Sequence, residues 1–225
     1  MMIGTLLVGA VQPLSATGHN TGIAKLSVAR PLRLGVNGFE GDGQADPRHG
    51  GPEKAVHHYA AEHYPYWRET IGERAVLRRP GAFGENLSTH GMTEDTVCIG
   101  DVYRLGSATV QVTQTRQPCW KLNTRFGQPD MALQVQRSGK TGWYYRVLEE
   151  GMAGPGDALE LIDRSYPQWT LASILKILYH RTGDRDALAQ LAQLAALPAR
   201  WRDLFVRRLA TGAVEDWTER LTGSV

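Results

Sequence analysis

Short runs in which apolar and polar residues alternate occupy the first two thirds of the chain, and a three-to-four-residue rhythm replaces them near residue 165. Alternation is the signature of strands, whose side chains point to opposite faces in turn, while the longer period marks a helix with one apolar face. Residues 3–11, 23–28, 102–105 and 108–113 read as strands, and Gly106-Ser107 between the last two reads as a hairpin turn. Two helical patterns interrupt them, at 60–71, where Tyr64, Trp67 and Ile71 share a face, and at 131–137. No repeat of fixed period is visible.

After Asp163-Arg164-Ser165-Tyr166-Pro167 the alternation stops. Leu171, Ile174, Leu175 and Leu178 form one helical stripe; Leu188, Leu191, Ala192 and Ala195 form a second, opened by Asp184 as N-cap. Pro198 stands where a third helix begins, carrying Trp201, Leu204, Phe205 and Leu209. The expected fold is α+β: a β-rich, barrel-like or sandwich domain over residues 1–164, then a small all-α module over 165–225. Arg200, Arg202, Arg207 and Arg208 on the third helix are either a docking surface for an acidic partner or an ordinary solvated face, the commoner role of surface arginine.

Composition narrows the classes. With 225 residues the chain can bury a substantial core, and 25 basic against 23 acidic side chains leave no charge excess to suggest nucleic acid as a partner. The first eleven residues lack the basic region of a signal peptide and are too short to span a bilayer, so a cytoplasmic protein without a membrane role is expected. No Gly-x-Gly-x-x-Gly fingerprint occurs, and two cysteines cannot hold an iron–sulfur cluster of the four-thiolate kind. Any redox activity would need electrons from elsewhere.

Candidate chemistry centres on Cys119 in Thr113-Gln114-Thr115-Arg116-Gln117-Pro118-Cys119-Trp120-Lys121-Leu122, where cationic neighbours favour a thiolate, the form that attacks electrophiles and binds soft metals. The competing role, a small buried hydrophobe, stays open at this level. Cys98, in an alternating run, reads as core rather than as a resolving thiol for Cys119. Upstream, Gly38-Phe39-Glu40-Gly41-Asp42, then His49-Gly50-Gly51, and Gly81-Ala82-Phe83-Gly84-Glu85-Asn86 are glycine-rich and polar. Such bends permit close backbone approach to a ligand, although each alone is as readily a turn. His57 and His58 are adjacent, so on a strand only one can serve a given site. His58, Glu62 and His63 lack the spacing of a zinc hydrolase. Of the aromatics, Trp120, Trp143, Tyr144 and Tyr145 could line a flat pocket, Trp120 being the favoured one for its place beside the cysteine.

Taken in order, Gly38-x-x-Gly41-Asp42, His49-Gly50-Gly51, Gly84-Glu85-Asn86-Leu87, Gly100-Asp101 and Arg116-x-Pro118-Cys119-x-Lys121-Leu122 resemble the MOSC domain, named for the C-terminal domain of molybdenum cofactor sulfurase. The C-terminal helices resemble the three-helix extension of its YiiM-like members. The resemblance implies a molybdenum cofactor with Cys119 as thiolate ligand to the metal, Asn86 and a lysine beside it, Lys25 or its rival Lys121. It also implies cofactor contacts from Asp42, His49, Gly50, Gly51, His58, Glu85, Asn86, Arg116 and Lys121, with Lys25, Lys121 or His58 as proton donors. The implied activity is reduction of N-hydroxylated compounds such as hydroxylaminopurine base analogues. A separate flavoprotein, such as the flavoprotein component of sulfite reductase, would supply electrons. The alternatives are a carrier of the cofactor or of sulfur without its own turnover, and, more distantly, a plain binding module.

Overall fold

The architecture, a computed structural model, describes residues 1–14, 18–45 and 50–223. Eight strands form one curled, half-barrel sheet. In spatial order these are β13 (Leu159–Asp163), β9 (Val102–Leu105), β10 (Ala108–Thr115), β11 (Trp143–Glu149), β7 (Val56–Ala60), β8 (Leu87–Thr89), β1 (Thr5–Val8) and β4 (Leu26–Val28). All pairings in it are antiparallel except β7 with β8, where His58 stands opposite Leu87. Two small sheets flank it: β12 (Gly151–Ala153), β5 (Leu32–Gly35) and β6 (Gly38–Phe39), and the ribbon β2 (Gln12–Pro13) with β3 (Asn20–Thr21).

The Gly106-Ser107 turn forms as expected, because Gly106 adopts a left-handed φ of 59° that its two-residue loop requires. Other boundaries differ from the pattern. The expected helix over 60–71 begins only at His63 (α1, His63–Ile71), since residues up to Ala60 are held in β7 by pairing with β8. The first run shrinks to Thr5–Val8 and the second to Leu26–Val28, where pairing between β1 and β4 sets the limits. β10 runs two residues longer than its pattern, to Thr115, because Trp143 and Tyr144 of β11 pair with its end.

Helices α2 (Lys121–Phe126) and α3 (Met131–Ser138) follow β10 and pack Leu122, Phe126, Met131 and Val135 against Tyr59, Trp67 and Phe83 in a second, smaller core. The C-terminal helices are α4 (Leu171–Tyr179), α5 (Arg185–Ala192), α6 (Ala199–Thr211) and α7 (Thr218–Thr222). Asp184 caps α5 as expected, accepting from the Ala187 N–H at 3.1 Å. The α5 stripe ends at Ala192; Ala195 is exposed and Ala196 takes the buried place, because the helix has stopped and the phase has changed.

One continuous apolar core joins sheet and helices, from Leu6, Val110 and Tyr145 to Ile174, Leu191, Trp201 and Phe205. Each such fully buried side chain contributes about 1.5–3 kcal/mol, so the helical module is fastened to the sheet rather than tethered to it. Arg208 departs from the expected exposed arginine face. It is buried and bonded to Glu215 at 2.7 Å, while Arg200 and Arg207 are exposed. No helix among the described residues is long and apolar enough to cross a membrane.

Candidate active site

β10 delivers Arg116 at the end of its pairing, where the Arg116 N–H bonds the Gly142 carbonyl at 2.9 Å. The chain then leaves the sheet, and Cys119 sits on the bend before α2, 8 % exposed and unpaired with the other cysteine. Its side chain lies on the wall of a pocket enclosing about 700 Å³ including its open mouth, shared with Lys25, Asp42, Asn86, Arg116 and Lys121. Arg116, Cys119 and Lys121 are neighbours in the chain, and the fold brings Lys25, Asp42 and Asn86 to them from distant segments.

Charge is distributed unevenly on that wall. Lys25 is bonded to the Asp42 carboxylate, and both side chains are nearly buried. Burial pushes the Lys25 pKa below its ordinary value, with Asp42 opposing the shift. Lys121 donates to the Asn20 carbonyl at 3.0 Å, and Arg116 is buried with its Nη1 lacking any partner; neither has a carboxylate among the described residues. A buried cation left without a counter-charge is costly, by several kcal/mol per ion. Two of them facing one cavity make that cavity a place for an anion.

Asn86 turns out to be a brace. Its Oδ1 accepts from the His57 N–H (3.0 Å), and its Nδ2 donates to the Leu7 carbonyl (3.1 Å) and to Asp42 Oδ2 (2.8 Å). An amide has two N–H bonds to give, and both are used, which orients Asp42 and through it Lys25, while Asn86 also lines the pocket and its Oδ1 keeps a second lone pair. Asp42 is further held by the Gly9 N–H at 3.0 Å.

Three other expected site residues lie off the pocket wall. Glu85 is fully buried and accepts from the Gly81 N–H (2.6 Å), the Phe83 N–H (3.0 Å) and the Tyr64 hydroxyl, which pins the 81–84 bend behind the wall. Gly50 and Gly51 pack against the Gln44 side chain, which does line the pocket; the Gly51 N–H bonds Gln44 Oε1 at 3.2 Å. His49 lies outside the described residues.

His58 also lies elsewhere than expected. It faces the core between Tyr145 Oη (3.0 Å) and Thr89 Oγ1 (2.8 Å), and burial lowers its pKa to about 3. Its neighbour His57 is the one on the pocket wall, with its ring 5.0 Å from that of Tyr144, which also lines the pocket. Burial first and the Arg116 charge second hold the His57 pKa well below the ordinary value, so the imidazole is neutral at pH 7. Likewise Tyr144 faces the pocket, whereas Trp143 and Tyr145 are in the core and Trp120 packs edge-on against His19 at 5.1 Å. Strict alternation along β7 and β11 is the signal that separates these neighbours, but all five residues of β7 are buried, so exposure could not say which face held the pocket.

The arrangement defines a class: a half-barrel sheet with a free cysteine and uncompensated cations in one pocket. The chain belongs to the MOSC domain family, which residues 45–160 match, and residues 169–212 match the YiiM-like, 3-alpha helix domain. Among curated relatives it is 46 % identical over 210 residues to the uncharacterized protein YflK of Bacillus subtilis (91 % of this chain, 92 % of that one). It is 41 % identical over 207 residues to protein YiiM of Escherichia coli, covering 92 % of each. A protein of Gibberella moniliformis named reductase is 39 % identical over 165 residues, 73 % of this chain but 29 % of that one. The crystal structure of YiiM from Escherichia coli superposes with a TM-score of 0.83 at 35 % identity, covering 98 % of both chains. That of YiiM from Geobacillus stearothermophilus superposes at 0.79 and 38 %, covering 92 % of this chain and 98 % of that one.

MOSC domains are generally molybdenum cofactor-binding domains. The residues present suit such a group on their own chemistry. Cys119 offers a soft sulfur donor, and the orphaned Arg116 Nη1 with Lys121 offers charge to an anionic pterin phosphate. No cluster of three or more His, Cys, Asp or Glu side chains suited to a metal ion occurs among the described residues.

Proposed function

We propose that this protein is a molybdenum cofactor-dependent oxidoreductase that reduces N-hydroxylated compounds, such as 6-N-hydroxylaminopurine, with Cys119 as the thiolate ligand to molybdenum. The observation that supports this reading is the shared wall: Cys119 and Arg116 line one pocket, and Arg116 carries a buried Nη1 without a hydrogen-bond partner, a soft donor beside a cation. When bound, the cofactor supplies the two-electron chemistry by which an N–OH compound and two protons become an N–H compound and water.

The chain's own residues then have distinct tasks. Arg116 and Lys121 bind the anionic end of the cofactor by charge-assisted hydrogen bonds. Lys25 holds a proton at Nζ for the departing oxygen, and its lowered pKa makes it a better acid than an exposed lysine. Asp42 and Asn86 keep that ammonium aimed at the pocket. The neutral His57 and the Tyr144 ring give the substrate a partly apolar wall. Electrons come from a partner flavoprotein, the flavoprotein component of sulfite reductase being the candidate. The sequence itself carries no nicotinamide fingerprint.

Molybdenum and pterin contents of wild type and Cys119→Ser, both purified from a host that makes the cofactor, test the reading together with reduction of 6-N-hydroxylaminopurine by a chemical reductant. Near-stoichiometric metal and turnover in the wild type, both lost in the variant, are expected. Cofactor bound without turnover would instead make the protein a carrier, and wild-type turnover in Cys119→Ser would overturn the ligand assignment.

A further inference from the structure

The segment after residue 212, beyond the stretch matching the YiiM-like helical domain, returns to the loop that carries Cys119. Its anchors are laid down in sequence. Glu215 is bonded to the buried Arg208 of α6 (2.7 and 3.1 Å), and the Trp217 ring stands edge-on to Tyr179 of α4 at 5.3 Å. Then α7 meets the loop. Arg220 Nη1 donates to the Pro118 carbonyl at 2.5 Å, and the Trp120 N–H donates to the Arg220 carbonyl at 2.8 Å. The backbone groups on either side of Cys119 are therefore bonded to one residue a hundred positions away.

The bracket has a fixed base. Arg220 Nη2 donates to Gln136 Oε1 on α3 at 2.6 Å, and Gln136 is buried. One residue further, the Leu221 carbonyl accepts from Asn123 Nδ2 of α2 at 2.8 Å. Gly223, at φ 74°, lies against the Trp120 indole where an added Cβ would come within 2.8 Å of the ring. On the opposite side of the loop, the exposed Arg200 of α6 reaches Gln117 Oε1 at 3.1 Å. The helical module thus touches Gln117, Pro118 and Trp120, while Cys119 between them is left to face the pocket. A guanidinium forked between a loop carbonyl and a buried amide is a rigid spacer, which lysine, a single point charge, reproduces only in part.

We propose that Arg220 is a positioning residue for Cys119: with its side chain and its own carbonyl it clamps the Pro118–Trp120 backbone so that the thiol is presented to the pocket. Its significance for metal ligation rests on the reading given under Proposed function; the clamp itself does not.

The test uses the full-length, cofactor-free protein and iodoacetamide, with alkylation followed by mass spectrometry on the Cys119 peptide. Loss of one charge-assisted hydrogen bond makes loop opening about tenfold or more easier, so Arg220→Ala is expected to be alkylated about tenfold faster than wild type. Arg220→Lys, keeping the charge but one arm of the fork, falls between the two. Arg164→Ala, whose broken bonds to Asp101 and Thr96 involve neither the loop nor the pocket, controls for general loosening and keeps the wild-type rate at Cys119. Equal rates in wild type and Arg220→Ala, or an equal rise in Arg164→Ala, would overturn the clamp. In a cofactor-making host, Arg220→Ala is also expected to retain less molybdenum than wild type, with Arg220→Lys partly restored. Absence of molybdenum from the wild type, with the alkylation order intact, would overturn the reductase reading and leave the clamp standing.

Discussion

Two cysteines, both free, sit in opposite electrostatic surroundings. Cys98 is 1 % exposed, its Sγ donates to the Pro167 carbonyl at 3.7 Å and its N–H donates to Asp101 Oδ2. Burial first and the Asp101 carboxylate second push its thiol pKa up. Cys119 is scarcely more exposed, at 8 %, but the charged groups sharing its pocket include Arg116 and Lys121, which have no carboxylate partner among the described residues. Solvent exposure does not separate the two thiols; the groups around them do. Beside Cys98, the Asp101 carboxylate is matched by Arg164 at 2.6 and 2.8 Å. In the Cys119 region Arg116 and Lys121 have no carboxylate partner among the described residues.

The largest effect that can break this contrast is on activity. Cys119→Ser is expected to lower reduction of N-hydroxylated substrate by at least about a hundredfold, as loss of a metal-binding or reacting group does, while Cys98→Ser stays near the wild-type rate. Similar losses in the two variants would remove the distinction.

An arginine-to-methionine exchange in each region should act with opposite sign. Arg164→Met strips the fully buried Asp101 of its partner and is expected to cost about 3 kcal/mol in urea unfolding. Arg116→Met removes a buried charge that has no carboxylate partner among the described residues, so the cofactor-free protein is expected to be unchanged or about 1 kcal/mol more stable while its molybdenum retention falls. Destabilisation by both would mean that Arg116 is matched after all.

A pH series sharpens the comparison by testing which histidine is held neutral by burial, His58 in the core or His57 on the pocket wall. His58 has a folded pKa of about 3 against an ordinary 6.5, so both states are neutral above pH 6.5 and the unfolded chain alone takes the proton below it. Stability is therefore lost as the pH falls from 6.5 toward 3. By pH 5 the loss from His58 amounts to about 2 kcal/mol, with His57 adding in the same direction. His58→Gln should flatten that acid limb; an unchanged limb would show that His58 takes a proton in the folded state.

The smallest effect is expected at the exposed arginines of α6. Arg207 has a solvated side chain, and Arg207→Glu should leave stability within about 0.5 kcal/mol and leave the flavoprotein-driven rate near wild type. A marked rise in KM for the flavoprotein would restore the docking role.

Much of this architecture is legible in the chain's local patterns. The hairpin at Gly106-Ser107, the Asp184 cap and the α4 stripe involve residues within a few positions of one another, and turn geometry or a 3.6-residue period acts at that range. Cys119 with its basic flanks is equally local. Asn86 stands out as a polar residue beyond a bend, yet its task as a brace depends on Leu7 and Asp42, 79 and 44 positions away. Arg220 carries no signal at all, because a single arginine in a short polar helix looks like solvated surface until the Pro118 carbonyl is beside it.

Sequence alone marked the strands now seen as β1, β4, β9 and β10, the switch of texture near residue 165 and the chemical kind of each candidate group, since hydrophobic period, turn preference and nucleophilicity belong to neighbouring residues. Only the tertiary structure decided which of His57 and His58 faces the pocket, that Glu85 and Arg208 are buried supports, and that Arg116 has no counter-charge among the described residues. Burial, pairing and pKa depend on what long-range contacts place within a few ångströms, and that is set by how the sheet curls and how the helices close over it.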